Sequence, residues 1–217
     1  MNEMIKAVVF DMDGLLVDSE YVGLFVLQDC ARKQNVEMKM EDIKLTLGST
    51  YAFSIDLYAR LYPQMDAVRL FKDFKEAMRE TALVGKVPLK KGAKELLEYL
   101  NAHQIPCAVA SSSPMSMVET YLGKLDALSH FQAFVTGDLG LPSKPAPDMF
   151  LTAAKALNTD PADCLVLEDS VNGVKAGRAA GMQVGMVPDV LPYKDELAPY
   201  CDHVLPDLSA VIPLLKA

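Results

Sequence analysis

The sequence predicts an α/β protein, a parallel β-sheet covered by helices on both faces, with an all-helical block inserted after the first strand. Short apolar, β-branched runs recur along the chain, each bounded by Pro, Gly, Ser or Asp. Amphipathic segments alternate with them, and that alternation with continuously apolar strands is the signature of a parallel sheet. Residues 19–85 break the rhythm: they hold successive helical periods and no convincing strand. The expected organisation is therefore a core built from residues 1–15 and 86–217 and a helical lid from residues 16–85. Linkers near 15–18 and 82–88 join the two.

In chain order, KAVVF (6–10) reads as the first strand. Within the inserted block, Val68, Phe71, Phe74, Met78 and Thr81 or Ala82 follow a three- to four-residue spacing, as on one helix face. The chain returns at VPLKKGAKELL, and AKELLEYLNAH (93–103) places Leu96, Leu97 and Leu100 on one side. CAVAS (107–111) and FQAFVTG (131–137) are strands. PDMFLTAAKAL (147–157) is a helix whose Pro147 suits the first turn, where a missing N–H costs nothing. CLVLED (164–169) is the fourth strand, SVNGVKAGRAAGM (170–182) a helix stopped at Gly181, and QVGMV (183–187) the fifth strand.

Bulk properties narrow the function classes. The 217-residue chain can bury a sizeable core, and its net charge of −8 offers little attraction to nucleic acid or anionic membrane. No apolar run approaches the ~20 residues that cross a bilayer. The start, MNEMIKAVVFD, lacks the cleavage site of a leader. Cys30, Cys107, Cys164 and Cys201 are far apart, without zinc or disulfide spacing, and read as reduced thiols. A cytoplasmic monomer is the expectation.

Ligands of an open parallel sheet bind beyond the carboxyl ends of its strands. Those ends carry Asp11 and Asp13 after the first strand, Ser111 with Ser112 and Ser113 after the second, and Glu168 with Asp169 after the fourth. Lys144 lies in the loop after the third. Each has an ordinary reading: strand-end aspartates cap or turn, serines begin helices, a lysine among prolines is solvated. Their conjunction on one edge is the signal, because carboxylates, hydroxyls and one ammonium together suit phosphate and a divalent cation.

The stretches DMDGLLVDSE, VASSSP, SKPAPDMF and LEDSVNGVKAGRAAGM resemble, in order, the four motifs of the haloacid dehalogenase superfamily. The resemblance spans nearly the whole chain and is closest to the branch with a helical cap between the first two motifs. That branch holds β-phosphoglucomutase and phosphatases of small sugar and nucleotide phosphates; GMQVGMVPD also resembles the pseudouridine monophosphate phosphatases. The resemblance implies a Rossmann-like core and a set of roles. Asp11 attacks phosphorus to form an aspartyl-phosphate, and Asp13 gives a proton to the leaving oxygen and later takes one from water. Ser111 and the N–H of Ser112 bind phosphoryl oxygens, while Lys144 neutralises charge. Mg2+ is held by Asp11, the carbonyl of Asp13 and Asp169, with Glu168 in or near the shell.

Physical need agrees with that set. A carboxylate ~4 Å from a phosphate dianion meets about 4 kcal/mol of repulsion per charge pair at an effective dielectric near 20. About 1.4 kcal/mol of barrier already slows a reaction tenfold. A divalent cation with one ammonium reverses that sign, and an all-oxygen site favours magnesium over zinc. His103, His130 and His203 fall at no motif. The closeness of Asp11 and Asp13 also has a use, since like charges split their pKa values so that one can stay protonated as an acid.

The lid sets what lies beyond the phosphate. The β-phosphoglucomutase pattern has a His soon after the first motif and an Arg in the cap loop; here DSEYVGLFVLQDCARK has no His, and Ser49, Thr50 and Tyr51 occupy that loop. Arg32, Lys44 and Arg60 read as helix-surface charges. Hydrolysis of a small phosphorylated metabolite is therefore favoured over a phosphosugar mutase, with Glu20, Thr50 and Tyr51 as lid contacts. A phospho-receiver domain would be shorter and lack the insertion, and a non-catalytic binder would lack Asp11 or Asp13. No dinucleotide, nucleoside triphosphate or nucleophile-elbow motif is present.

Overall fold

The computed structural model describes residues 5–216; the first four residues of the stretch read against a leader, and Ala217, lie outside it. Six strands form one fully parallel sheet: β1 (Ala7–Phe10), β2 (Cys107–Ala110), β3 (Ala133–Val135), β4 (Cys164–Glu168), β5 (Gln183–Met186) and β6 (His203–Val204). Their order is β3-β2-β1-β4-β5-β6. The chain works outward from β1 in one direction and then in the other, so the topological switch point lies between β1 and β4. Val8 pairs with Cys107 on one side and Leu165 on the other.

The pleat sends successive residues of β1 to opposite faces. Val8 and Phe10 join a core with Leu96, Leu97 and Leu100 of α5 (Ala93–Ala102) and Val118, Tyr121 and Leu122 of α6 (Met115–Lys124). Ala7 and Val9 join the opposite core with Met149, Phe150 and Ala153 of α7 (Asp148–Ala156) and Ala176 of α8 (Val171–Ala179). Both faces are covered, as the continuous apolar strands require. Pro147 stands immediately before α7 rather than within its first turn.

Between β1 and β2 come four helices: α1 (Ser19–Arg32), α2 (Met40–Lys44), α3 (Tyr51–Leu61) and α4 (Ala67–Leu83). They bury their own cluster, including Leu24, Leu27, Ile43, Tyr58, Leu70 and Phe71. The buried stripe of α4 runs through Ala67, Leu70, Phe71, Met78 and Ala82, so Val68, expected inside, is instead 65% exposed. The reason is a choice between neighbouring stripes: the face through Leu70 meets the other inserted helices, and Met78 and Ala82 continue into the core beside the sheet. The two connections to the core pair with each other. Val17 bridges Leu89 in antiparallel fashion, the Asp18 N–H donates to the Pro88 carbonyl at 2.9 Å, and the Lys90 N–H to the Leu16 carbonyl at 2.8 Å. Among the described residues, no helix is long and apolar enough to cross a membrane.

Candidate active site

Asp11 follows β1 directly, its N–H bonded to the Leu167 carbonyl at 3.0 Å, which ties the end of β1 to β4 across the switch point. Lys144 arrives from the loop after β3, its side chain 8% exposed. Its ammonium donates to Asp11 Oδ1 at 2.5 Å, to Glu168 Oε1 at 2.6 Å and to the Ala110 carbonyl at 3.0 Å. The Phe150 ring lies 4.8 Å beneath it. Burial works against the Lys144 charge, but Asp11 and Glu168 outweigh it and hold the pKa above the ordinary lysine value.

Glu168 is completely buried at the end of β4. Its second oxygen accepts from the N–H groups of Asp169 (3.1 Å) and Ser170 (3.0 Å) and from the Ser170 hydroxyl (2.9 Å). Both oxygens are thus engaged, one by Lys144 and one by the start of α8. Ser170 also caps that helix, accepting from the Gly173 N–H at 3.0 Å. A Cβ at Gly173 would fall 1.8 Å from Glu168 Cδ, so only glycine lets the first turn of α8 lie over this carboxylate.

Asp13 turns toward the inserted helices. Its oxygens accept from the hydroxyls of Ser19 on α1 (2.8 Å) and Ser113 (2.7 Å). Met12, between the two aspartates, is buried in the core, while Gly14 takes φ +78° to turn the chain. Ser111 is buried at the end of β2, its Oγ accepting from the Ser113 N–H at 3.1 Å; Ser112 beside it is exposed. Among the described residues nothing accepts from the N–H groups of Met12, Asp13 or Ser112, which leaves main-chain donors free for an anion.

Asp169 sits next to Asp11 and opposite Gly14. A Cβ on Gly14 would fall 2.5 Å from Asp169 Oδ2. Burial raises the Asp169 carboxyl well above the usual range, and Glu168, Asp11, Glu20 and Asp189 add to the effect. Asp11 is pushed up to about 7, by burial first, with Lys144 opposing and Glu168 and Asp13 adding. Several buried acids therefore face one ammonium.

The residues expected as lid contacts divide. Glu20 on α1 is pushed up to about 7 by burial, then by Asp13 and Asp189. Tyr51 is raised by burial and by the same Asp13 and Glu20, which places both near the aspartate. Thr50 caps α3, accepting from the Phe53 N–H at 3.3 Å. Tyr121 of α6, not expected from the sequence, faces the same acids: burial raises its pKa, followed by Asp13, Glu20 and Tyr51.

The sequence profile of the haloacid dehalogenase-like hydrolase family matches residues 8–187. The chain belongs to this family. Among curated members it is 34% identical to a "Probable pseudouridine-5'-phosphatase" of Drosophila melanogaster over 87% of this chain and 85% of that one. It is 33% identical to hexitol phosphatase B of Escherichia coli K12 over 85% and 84%. It is also 32% identical to the bifunctional riboflavin kinase/FMN phosphatase of Arabidopsis thaliana over 96% of this chain, and spans 55% of that longer protein. A crystal structure of a haloacid dehalogenase family hydrolase from Deinococcus radiodurans, with bound phosphate and sodium, superposes with a TM-score of 0.78. It is 27% identical and covers 96% of this chain and 94% of that chain.

For this hydrolase, a hard cation fits the donor chemistry. Among the described residues no three His, Cys, Asp or Glu side chains gather as a ready cage. Asp11 and Asp169 nevertheless bring oxygen donors to one buried place, and like charges surround Asp169. Main-chain carbonyls of the turn after β1 can complete an oxygen set of the kind magnesium takes. The residues sequence reasoning missed are Ser19, Tyr121, Lys90 and Asp189. Only Asp189 had a usable signal, because it follows β5 at the same sheet edge.

Proposed function

We propose that this hydrolase is a magnesium-dependent phosphomonoesterase acting on a small phosphorylated metabolite, of the phosphosugar or nucleoside monophosphate class, through a phospho-Asp11 intermediate. The observation that carries the reading is Lys144, which binds Asp11 and Glu168 together at 2.5 and 2.6 Å. Relatives named hexitol phosphatase B, bifunctional riboflavin kinase/FMN phosphatase and "Probable pseudouridine-5'-phosphatase" support it.

In this reading Asp11 Oδ attacks phosphorus as the ester P–O bond breaks, and Asp13 delivers its proton to the departing alkoxide. Asp13, now a carboxylate, takes a proton from a water that attacks phospho-Asp11, releasing inorganic phosphate and restoring both acids. Ser111 and the main-chain N–H of Ser112 hold phosphoryl oxygens, and Lys144 offsets the charge that gathers on them. Asp11, the Asp13 carbonyl and Asp169 would hold Mg2+, with Glu168 behind them fixing Lys144. When bound, the ion supplies Lewis-acid charge neutralisation between nucleophile and phosphate. Residues 16–85 serve as a substrate lid over the core formed by 1–15 and 86–217, with Glu20, Tyr51 and Thr50 facing the non-phosphate part.

Phosphate release from a panel of phosphorylated sugars, polyols and nucleotides, with magnesium and with chelator, tests this. Metal-dependent release from at least one is expected. Isomerisation of a sugar phosphate without free phosphate would replace hydrolysis by the mutase reaction.

A further inference from the structure

One buried acceptor near the site has no partner. Asp189 follows β5 with its side chain 9% exposed. Its Oδ1 accepts from Lys90, which also donates to Asp18 Oδ1 at 2.9 Å. Its Oδ2 is buried and accepts no hydrogen bond. That oxygen lies 3.2 Å from where a Gly14 Cβ would stand, and Asp169 Oδ2 lies 2.5 Å from the same point. Two carboxylate oxygens from different strand ends thus converge over a bare Cα, and among the described residues neither accepts a hydrogen bond there. Gly14, in its left-handed conformation, keeps that space open.

Lys90 is shared between Asp189 Oδ1 and Asp18, so it leaves the two carboxylate oxygens over Gly14 without a counter-charge. A cleft of about 390 Å³ is lined by Asp18, Tyr21, Lys44, Lys90 and Asp189 among others, so it reaches Asp189 from the side of Lys90. An unpaired buried carboxylate oxygen beside a candidate cation ligand is the arrangement that outer partners of a metal adopt, since they accept from the donors that the ion orients.

We propose that Asp189 is a positioning residue of the cation site: its Oδ2 accepts a hydrogen bond from a water on the ion held by Asp169, while Lys90 fixes it through Oδ1. Because Lys90 also binds Asp18, the same contact fastens the cation site to both linkers of the inserted helices. The inference rests on the cation role proposed above for Asp11 and Asp169.

Magnesium affinity measured by titration calorimetry, with thermal melting in chelator as the control for folding, tests it. Asp189→Asn should weaken magnesium binding about 10- to 100-fold. Asp18→Asn, which touches the same Lys90 but does not face Gly14, should leave affinity within about twofold. Unchanged affinity in Asp189→Asn, or equal losses in the two variants, overturns the proposal. If Asp189→Asn fails to fold, a magnesium-soaked crystal of the wild type decides: Asp189 Oδ2 is expected within about 3.2 Å of a metal-bound water, and a site with no water in reach of it refutes the idea. Wild-type protein that binds no magnesium would instead refute the underlying cation role.

Discussion

Lys144 reaches its place only because two acids and a carbonyl await it there, and removing any of them leaves a buried charge short of a partner. That dependence makes the residue-scale predictions sharp. Asp11→Asn should reduce phosphate release by at least ~10³-fold, since an amide is no nucleophile here; steady-state phosphate assays check it. Asp13→Asn should cost about 10²–10⁴-fold, the usual share of a general acid–base. For esters whose leaving group needs no proton the first step should recover while the steady-state loss remains, because hydrolysis of the intermediate still lacks its base. The residues behind these predictions were legible because they are polar side chains ending apolar strands. The main-chain N–H groups of Met12 and Asp13 were not, since every residue carries one, and that of Ser112 was named only through the family resemblance. Asp189 was overlooked because the strand-end reading stopped one strand short.

At the scale of elements, α8 is the piece on which Glu168 depends. Gly173→Ala would drive a methyl into the carboxylate, and Ser170→Ala would remove the helix cap together with one donor to Glu168. The first should destabilise by about 1–3 kcal/mol and the second by about 1 kcal/mol, read by thermal or urea unfolding. Both should lower turnover more than a matched surface substitution, because Lys144 loses its anchor. Five strands were readable from apolar runs. β6, only His203–Val204, is too short to carry a pattern, and the 3-10 segment Leu208–Lys216 with Pro213 has no helical period to detect. The α4 stripe was displaced at Val68 because a period fixes spacing but leaves the choice between adjacent faces to tertiary contacts.

Across the whole molecule, stability and the site are linked through protons. Asp11 and Glu20 are raised from 3.8 and 4.5 to about 7 in the folded chain. Between these limits the unfolded chain has lost the protons that the folded chain keeps, so raising the pH favours unfolding until both groups have ionised near 7. The metal-free protein should therefore melt higher at pH 5 than at pH 8 as far as these groups decide. Magnesium at ~100 times its dissociation constant should add about 2.7 kcal/mol, and one fixed magnesium concentration should help more at pH 8, where the ionised acids bind it more tightly. Scanning calorimetry at both pH values, with and without metal, measures this. The inserted helices were visible as a block without strands. The Lys90 tie between the linkers and Asp189 was not, since it joins residues 99 positions apart.

The central claim is that Asp11 carries the phosphoryl group. The most direct test uses p-nitrophenyl phosphate, whose leaving phenolate needs no proton, with the Asp13→Asn variant, where hydrolysis of the intermediate lacks its base. Rapid quenching and peptide mapping should find phosphate on Asp11 after a burst of phenolate. Release of phenolate and phosphate together with no label on Asp11, or label on another residue, would contradict the account.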